Sequence, residues 1–416
     1  MINFKSLWTR LTHTKALEKS SGKLETRFFE TVYRVSYLTG ISAADDDIPY
    51  MLYSSTVKLL IVLLVCGEIW YAFTETSSLD EIAASINTTV IQFITMYRYR
   101  NMIRHKDVYK KLAMSMESPF FDISTQERRN LVDYWVKKNE RYLKLLLFLG
   151  NCTLAAWFLY PLVDDLEYNM FIGIRLPFQY RSLIRYTFAY LVVVMAFAYI
   201  SHFVMVNDLI MQAHLLHLVC QFAVLSDCFE NILADCEKKF KGADRERLIA
   251  NKRFREAYRL RLGDMVNQHQ SILSHVMDLR RTLSGPMLGQ LAASGTLICF
   301  IGYQLTTTGA DNVTKCLMSL FFLGYNLFEF YIICRWCEEI TVQSQKIGEA
   351  AYCSNWECGL ADIPGVKSCL VLVIARANKP LVLTAGGMYN LSLLSYTSLV
   401  KTSYSALTVL LRFRQN

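Results

Sequence analysis

Seven apolar stretches lie along this chain, at 53–74, 82–97, 143–162, 186–206, 283–307, 316–333 and 381–411. Each is a candidate to cross a bilayer, allowing some polar interruption, and backbone inside hydrocarbon has to satisfy its hydrogen bonds within its own element. The expectation is therefore an all-α fold, a polytopic membrane protein with seven transmembrane helices. Hydrophobic residues at 53% and a mean hydropathy of +0.23 agree with this, and argue against reading 416 residues as two or three soluble domains. The second stretch is the shortest and is interrupted by Asn87, Thr88, Thr89 and Gln92. If it does not cross, the parity of the whole topology changes.

Orientation follows from the loop charges. The N-terminal segment, 98–144, 208–281 and 335–379 hold nearly all the Lys and Arg. The alternate loops hold only a few, such as Arg175, Arg181, Arg185 and Lys315, roughly matched by Asp80, Glu81, Asp164, Asp165, Glu167 and Asp311. The positive-inside bias places the N-terminus in the cytosol and, after seven crossings, the C-terminus outside. Arg412 and Arg414 run against this count and are read as snorkelling. The net charge of +8 is mainly the same bias, so no nucleic-acid partner is inferred. The densest basic run, 238–261, reads as a solvated helical face near anionic lipid. The first fifty residues alternate charge with aromatics (Phe4, Trp8, Phe28, Phe29, Tyr33) and offer no uninterrupted apolar run for a cleavable signal, so a mature N-terminus near the membrane is expected.

Three helices are expected to outrun the membrane. Apolar spacing continues from Leu209 to Leu233 beyond the fourth span, from Leu260 to Leu279 before the fifth, and across 338–356 after the sixth. With the amphipathic segment 366–377 they can bundle below the membrane. Pro364 and Gly365 set that segment off, and Pro380 breaks it from the final span, so the seventh helix should be split. The resulting division is 1–52 as N-terminal segment, 53–207 as the first four spans, 208–282 as cytosolic projections, 283–337 as spans five and six, 338–380 as cytosolic anchor and 381–416 as the final helix.

Enzyme chemistry finds little support. The seven His match no HExxH or paired-Cys zinc pattern, and no GxxxxGK[ST], GxGxxG or GxSxG motif is present. His214 and His217 with Asp208 form at most a weak ligand set, and Cys334, Cys337, Cys353 and Cys358 read as helix packing rather than a zinc site. The twelve Cys are expected mostly reduced. The intramembrane carboxylates Glu68 and Glu329 are the groups a proton-coupled transporter would want, but each can instead pair with Lys58 or Arg335 or reach an interface by snorkelling. No catalytic residue, metal or cofactor is assigned. The outer halves of the spans are rich in aromatics, which suits either an apolar pocket for a small lipophilic molecule or lipid-facing packing with an interfacial belt.

The C-terminal third carries a more specific pattern. GEAAYCSNWE after the sixth span, the junction RANKPLVLTAGG, LSLLSYTSLVKTSYS and the final Leu410 and Leu411 resemble the signature of insect odorant receptors, which are ligand-gated channels of inverted seven-helix topology. The stretch LPFQY at 176–180 resembles that family's extracellular lid. The related gustatory receptors end in Thr-Tyr, five apolar residues and Gln-Phe, where this chain has Ser403, Tyr404, Leu410 and Leu411. The co-receptor of the family has a longer cytosolic insertion before the fifth span and a different ending, and this chain has neither.

The resemblance implies a tuning subunit that forms a heterotetramer with an odorant co-receptor subunit in the plasma membrane of a sensory dendrite, in contact with membrane lipid. It implies a small volatile organic ligand, held at Thr89, Phe93, Ala155, Phe158, Tyr186, Tyr190, Tyr303, Phe322 and Tyr325. It further implies a pore lined by the last helix, with a gate near Leu407, Leu410 and Leu411 and with Thr408 and Ser405 in the wall. Lys401, a cation, is expected to face a neighbouring helix or vestibule instead. A gustatory-type channel and a metabotropic seven-helix receptor are the alternatives. Asn312, in an NVT sequon, falls in the short outer loop between spans five and six.

Overall fold

The computed structural model describes residues 12–75, 79–163, 168–238, 240, 245–308 and 313–415. Phe4, Trp8, Asp164, Asp165, Glu167, Asp311, Asn312 and part of the basic run, at 239 and 241–244, lie outside the described residues. Two short helices, α1 (Lys15–Ser20) and α2 (Leu24–Leu38), precede α3 (Ile48–Thr74) and α4 (Leu79–Arg104). Then come α5 (Lys106–Ala113), α6 (Gln126–Val163), α7 (Leu183–Glu230), α8 (Ile232–Glu237) and α9 (Arg245–Ala250). The chain continues through α10 (Lys252–Thr308), α11 (Val313–Tyr352) and α12 (Val366–Ala377). A two-stranded ribbon, β1 (Thr384–Ala385) and β2 (Tyr389–Asn390), leads into α13 (Leu393–Gln415).

Five helices, α3, α6, α7, α10 and α11, are long and apolar enough to cross a membrane by length and composition. With 26 and 23 residues, α4 and α13 reach about 39 and 35 Å at 1.5 Å per residue, so length is not what they lack. The low apolarity of α4 has a structural cause. Asn87, Thr88, Gln92, Thr95 and Arg98 are buried against the other helices, while Phe93 and Tyr97 are exposed. Its polar face is turned into the protein and its apolar face outward, the arrangement a lipid solvent favours.

The long helices outrun their apolar windows as expected, and the extra length is packed. From Val206 to Phe229 almost every residue of α7 is buried, because α2, α5, α6, α10 and α11 pack against it. One wall of this bundle is α2, whose Phe28 and Phe29 rings meet His217 and His214. Asn139 of α6 ties α2 in, donating to the Phe28 carbonyl at 2.9 Å. At the far end Arg128, fully buried, pairs with Asp122, Asp227 and Asp235, and Arg261 of α10 also reaches Asp122. Four segments of chain are fastened there by one guanidinium fork, whose donors suit several carboxylates at once.

The end of the chain departs from expectation in one respect. The split after α12 is present, but 381–392 is not the first turn of the last helix. Leu383 to Leu391 closes as a hairpin with Thr384 opposite Asn390 and Ala385 opposite Tyr389. Gly386 (φ 62°) and Gly387 (φ 73°) take the two left-handed positions at its tip, which side chains disfavour and a tight hairpin requires. The hairpin docks on α10, where the Gly386 N–H donates to the Ser284 carbonyl at 2.8 Å.

Candidate functional site

A cavity of about 70 Å³ lies among α4, α6, α7 and α11. Its wall is mainly aliphatic and aromatic. Trp157 of α6 stacks on Phe197 of α7 at 5.2 Å between ring centres and meets Phe322 of α11 edge-on at 5.4 Å. Thr88 and Gln92 of α4, and Tyr325 and Asn326 of α11, supply polar groups. Gly150 makes room on α6, since a methyl there would stand 2.4 Å from the Met205 sulfur on α7. Above the cavity, Phe171 is buried against Phe158, Tyr190 and Phe197. Its segment is held on α3 by the Arg175 N–H, which donates to the Gly67 carbonyl at 3.1 Å, and by Arg175 over the Trp70 ring.

Of the nine residues expected around the ligand, Phe322 and Tyr325 line this cavity. Thr89, Phe93, Ala155 and Phe158 each stand one residue along from a lining position, namely Thr88, Gln92, Leu154 and Trp157. Tyr186 and Tyr190 sit in the layer above, their rings 5.8 Å apart; Tyr186 donates to the Asn169 carbonyl at 2.5 Å and Tyr190 donates to the Phe158 carbonyl. Tyr303 is buried on α10, which contributes no lining residue among those described. The LPFQY stretch leaves Phe178 exposed, while the buried part of the loop is Phe171 to Ile174, just upstream.

Below the cavity is an ionic node. The Tyr325 hydroxyl donates to Asp208 at 3.0 Å, and Asp208 pairs with Arg98 at 2.7 Å. Arg98 donates to Gln290 at 2.9 Å and lies 3.5 Å from Glu329, to which Gln290 donates at 2.7 Å. Of the two alternatives for Glu329, neither the pairing with Arg335 nor a reach to the interface is found. Arg335 bonds Glu339 at 2.8 Å, and Glu68 accepts from Gln92 rather than meeting Lys58. Buried charge gains more from partners inside the bundle than from a neighbour along an outer helical face. Pro286 belongs to the same region. Having no N–H, it leaves the Thr282 carbonyl unbonded within α10, and Asn101 of α4 fills the place at 2.8 Å.

Two weaker ligand sets are also resolved. Asp208 is committed to Arg98 and stands apart from His214 and His217, which pack on aromatic rings. Cys334 and Cys337 are buried in α11, whereas Cys353 and Cys358 are exposed, and no metal-binding group of three ligands occurs among the described residues.

On α13, Ser403 donates to the Gly295 carbonyl of α10 at 3.1 Å. Leu407 rests on Gly302, where an added methyl would meet its Cδ2 at 3.0 Å. The opposite face is open: Ser398, Lys401, Ser405 and Val409 follow one another along an exposed stripe, with Thr408, Leu410 and Leu411 half-buried beside it. Val409 was not expected at this face, although its spacing of four from Ser405 signals it.

Fold and cavity together define a helical membrane protein built around a small apolar space. Residues 78–404 match the family model described as 7tm Odorant receptor, and the chain belongs to that family. Odorant receptor 94a of Drosophila melanogaster is 23% identical over 379 residues, covering 86% of this chain and 88% of the relative. Putative odorant receptor 92a of the same species is 23% identical over 412 residues, covering 92% and 94%. The insect olfactory receptor OR5 from Machilis hrabei, solved in complex with eugenol, superposes with a TM-score of 0.76 at 15% identity, covering 94% of this chain and 99% of that one.

Proposed function

We propose that this chain is the odorant-tuned subunit of a ligand-gated cation channel, assembled with an odorant co-receptor as a heterotetramer in the plasma membrane of a sensory dendrite. A small volatile ligand enters the four-helix cavity, and the last helices of the assembled subunits move apart. Supporting this above all is Tyr325, which both lines the cavity and hydrogen-bonds the ionic node. From Asp208 and Arg98 the contacts run to Gln290, whose helix α10 carries the glycines on which α13 rests. Ligand contact at α11 is thereby joined, through packed and bonded groups, to the helix that would line the pore. A ligand shifts such an equilibrium only by its differential affinity for the open state.

In this reading Ser398, Ser405, Thr408 and Val409 form the pore-side face, Lys401 on the same stripe opens to the vestibule, and Leu410 and Leu411, backed by Leu407 against α10, form an apolar collar near the outer mouth, where dewetting blocks ions. Leu407 also sets how closely α13 sits on α10. Tyr186, Tyr190, Phe158 and Phe171 roof the ligand site, and Thr89, Phe93, Ala155 and Tyr303 support its walls from the second rank.

The test is voltage clamp on cells co-expressing the chain and the co-receptor, challenged with a panel of volatiles. Expected are ligand-evoked cation currents that need both subunits, with Tyr325→Phe shifting the dose response to higher concentration while its ring still lines the cavity. An N-terminal epitope reached only after permeabilisation supports the orientation. An N-terminus accessible on intact cells, with responses that depend on a G protein, overturns the channel reading in favour of a metabotropic receptor.

A further inference from the structure

Three residues that line the cavity, each more than nine-tenths buried, carry a polar atom without a hydrogen-bond partner: Nε1 of Trp157, Oδ1 of Asn326 and Oε1 of Gln92. In both amides the nitrogen is already committed, Asn326 Nδ2 to the Phe322 carbonyl at 2.8 Å and Gln92 Nε2 to Glu68 at 3.2 Å. Thr88 and Thr153 donate to carbonyls within their own helices, and Tyr325 donates to Asp208. Among the lining residues one N–H donor and two carbonyl acceptors are thus unmatched, with the Ser201 hydroxyl the further polar group of an otherwise apolar wall. A buried polar atom left unmatched costs more than an ordinary hydrogen bond contributes, so whatever fills the cavity is selected for meeting these atoms. A ligand that displaces water without replacing the water's bonds loses affinity.

We propose that the cavity selects a compact, uncharged, mainly apolar molecule bearing one hydroxyl group, which accepts from the Trp157 indole N–H and donates to the Asn326 carbonyl. The proposal rests on this cavity being the ligand site. Asn326 is the chosen acceptor because it lies one helical turn from Phe322, whose ring packs edge-on against Trp157. A hydroxyl is the smallest group that accepts and donates at one atom. An ether, ester or ketone answers only Trp157, and a hydrocarbon answers neither. A carboxylate would add negative charge near Glu68 and Asp208, and an ammonium group has no lone pair for the indole.

The experiment measures binding of benzyl alcohol, its isomer anisole, and ethylbenzene to the purified full-length chain in lipid nanodiscs, by calorimetry against empty nanodiscs. Benzyl alcohol should bind about tenfold more tightly than anisole, with ethylbenzene weakest. Asn326→Leu should bring benzyl alcohol to within about threefold of anisole and leave ethylbenzene unchanged. Trp157→Phe should weaken both oxygen-bearing probes towards ethylbenzene. Ser201→Phe, which fills the cavity, should abolish binding of all three. Equal binding of the three probes, binding of none, or an equal loss of all three in Asn326→Leu overturns the proposal. If the probes bind and Ser201→Phe leaves them untouched, the cavity is not the ligand site and the functional reading of it falls as well. If binding depends on the cavity but shows no hydroxyl preference, only the inference falls.

Discussion

At Gly150 the bundle leaves space for a thioether. A methyl placed there would overlap the Met205 sulfur, and methionine, being unbranched and flexible, is the side chain best able to yield. Gly150→Ala should therefore fold, push Met205 into the cavity and shift ligand sensitivity by about tenfold, a change of roughly 1.4 kcal/mol, measured as dose response at matched surface expression. An unchanged dose response would show that the cavity tolerates the displaced thioether. The buried histidines make a second prediction. Burial holds His214 down at about 3 and His217 well below the ordinary range, the latter helped by His214 and His275 nearby. In the unfolded chain both titrate near 6.5, so between that value and the folded one the unfolded state binds more protons. Stability is then complete above about pH 6.5 and falls with acid by up to about 1.4 kcal/mol per pH unit for each histidine. Thermal unfolding of the solubilised protein at pH 7.5, 6.5 and 5.5 should show this slope, and His214→Phe should flatten it.

At the scale of elements, the contact between α10 and α13 depends on Gly295 and Gly302, seven residues apart on one face of α10. Small residues let two helices approach in lipid, where packing rather than water expulsion holds them together. Ser403 bonds at the first glycine and Leu407 fits over the second. Leu407→Ala should loosen that fit and alter basal leak or the voltage-clamped ligand response, whereas Gly302→Ala should force Leu407 outward by a few tenths of an ångström and change the same currents. Currents unchanged in both variants would mean that the position of α13 is set elsewhere. The hairpin between α12 and α13 also belongs to this scale. RANKPLVLTAGG was legible as a break, because Pro380 cannot continue a helix, but the two strands were not, since apolar residues in a stretch of that length suit a helix equally well.

For the whole molecule, two buried ionic nodes hold the helices at different levels. The one around Arg128 joins α6, α7, α8 and the loop before α6, and it tests how the bundle is fastened. Arg128→Ala would leave three carboxylates with only Arg261 and the exposed Lys238 as cations among the described residues, so a loss of about 3–5 kcal/mol is expected, seen as a large fall in melting temperature and yield. Arg128→Lys should recover only part, because a single ammonium cannot reproduce the guanidinium fork. Equal stability of Arg128→Ala and the parent would mean that hydrophobic packing of α7 alone holds the bundle.

The sequence alone determined that the fold is all helical, that α7, α10 and α11 run on beyond their apolar windows, where Pro364, Gly365 and Pro380 divide the end of the chain, and which family its last residues resemble. Those features are local: they depend on run length, on proline chemistry and on contiguous motifs. Only the tertiary structure decided which face of each helix meets the cavity. Thr89, Phe93, Ala155 and Phe158 were read one position, about 100° of helix, from Thr88, Gln92, Leu154 and Trp157. In a soluble protein the apolar face identifies the core, but here lipid and interior are both apolar, so periodicity carries little phase. On α4 the phase was recoverable from its polar residues, which must face inward. The partners of Glu68, Asp208 and Glu329 were not recoverable, because Gln92, Arg98 and Gln290 come near them only when separate helices pack.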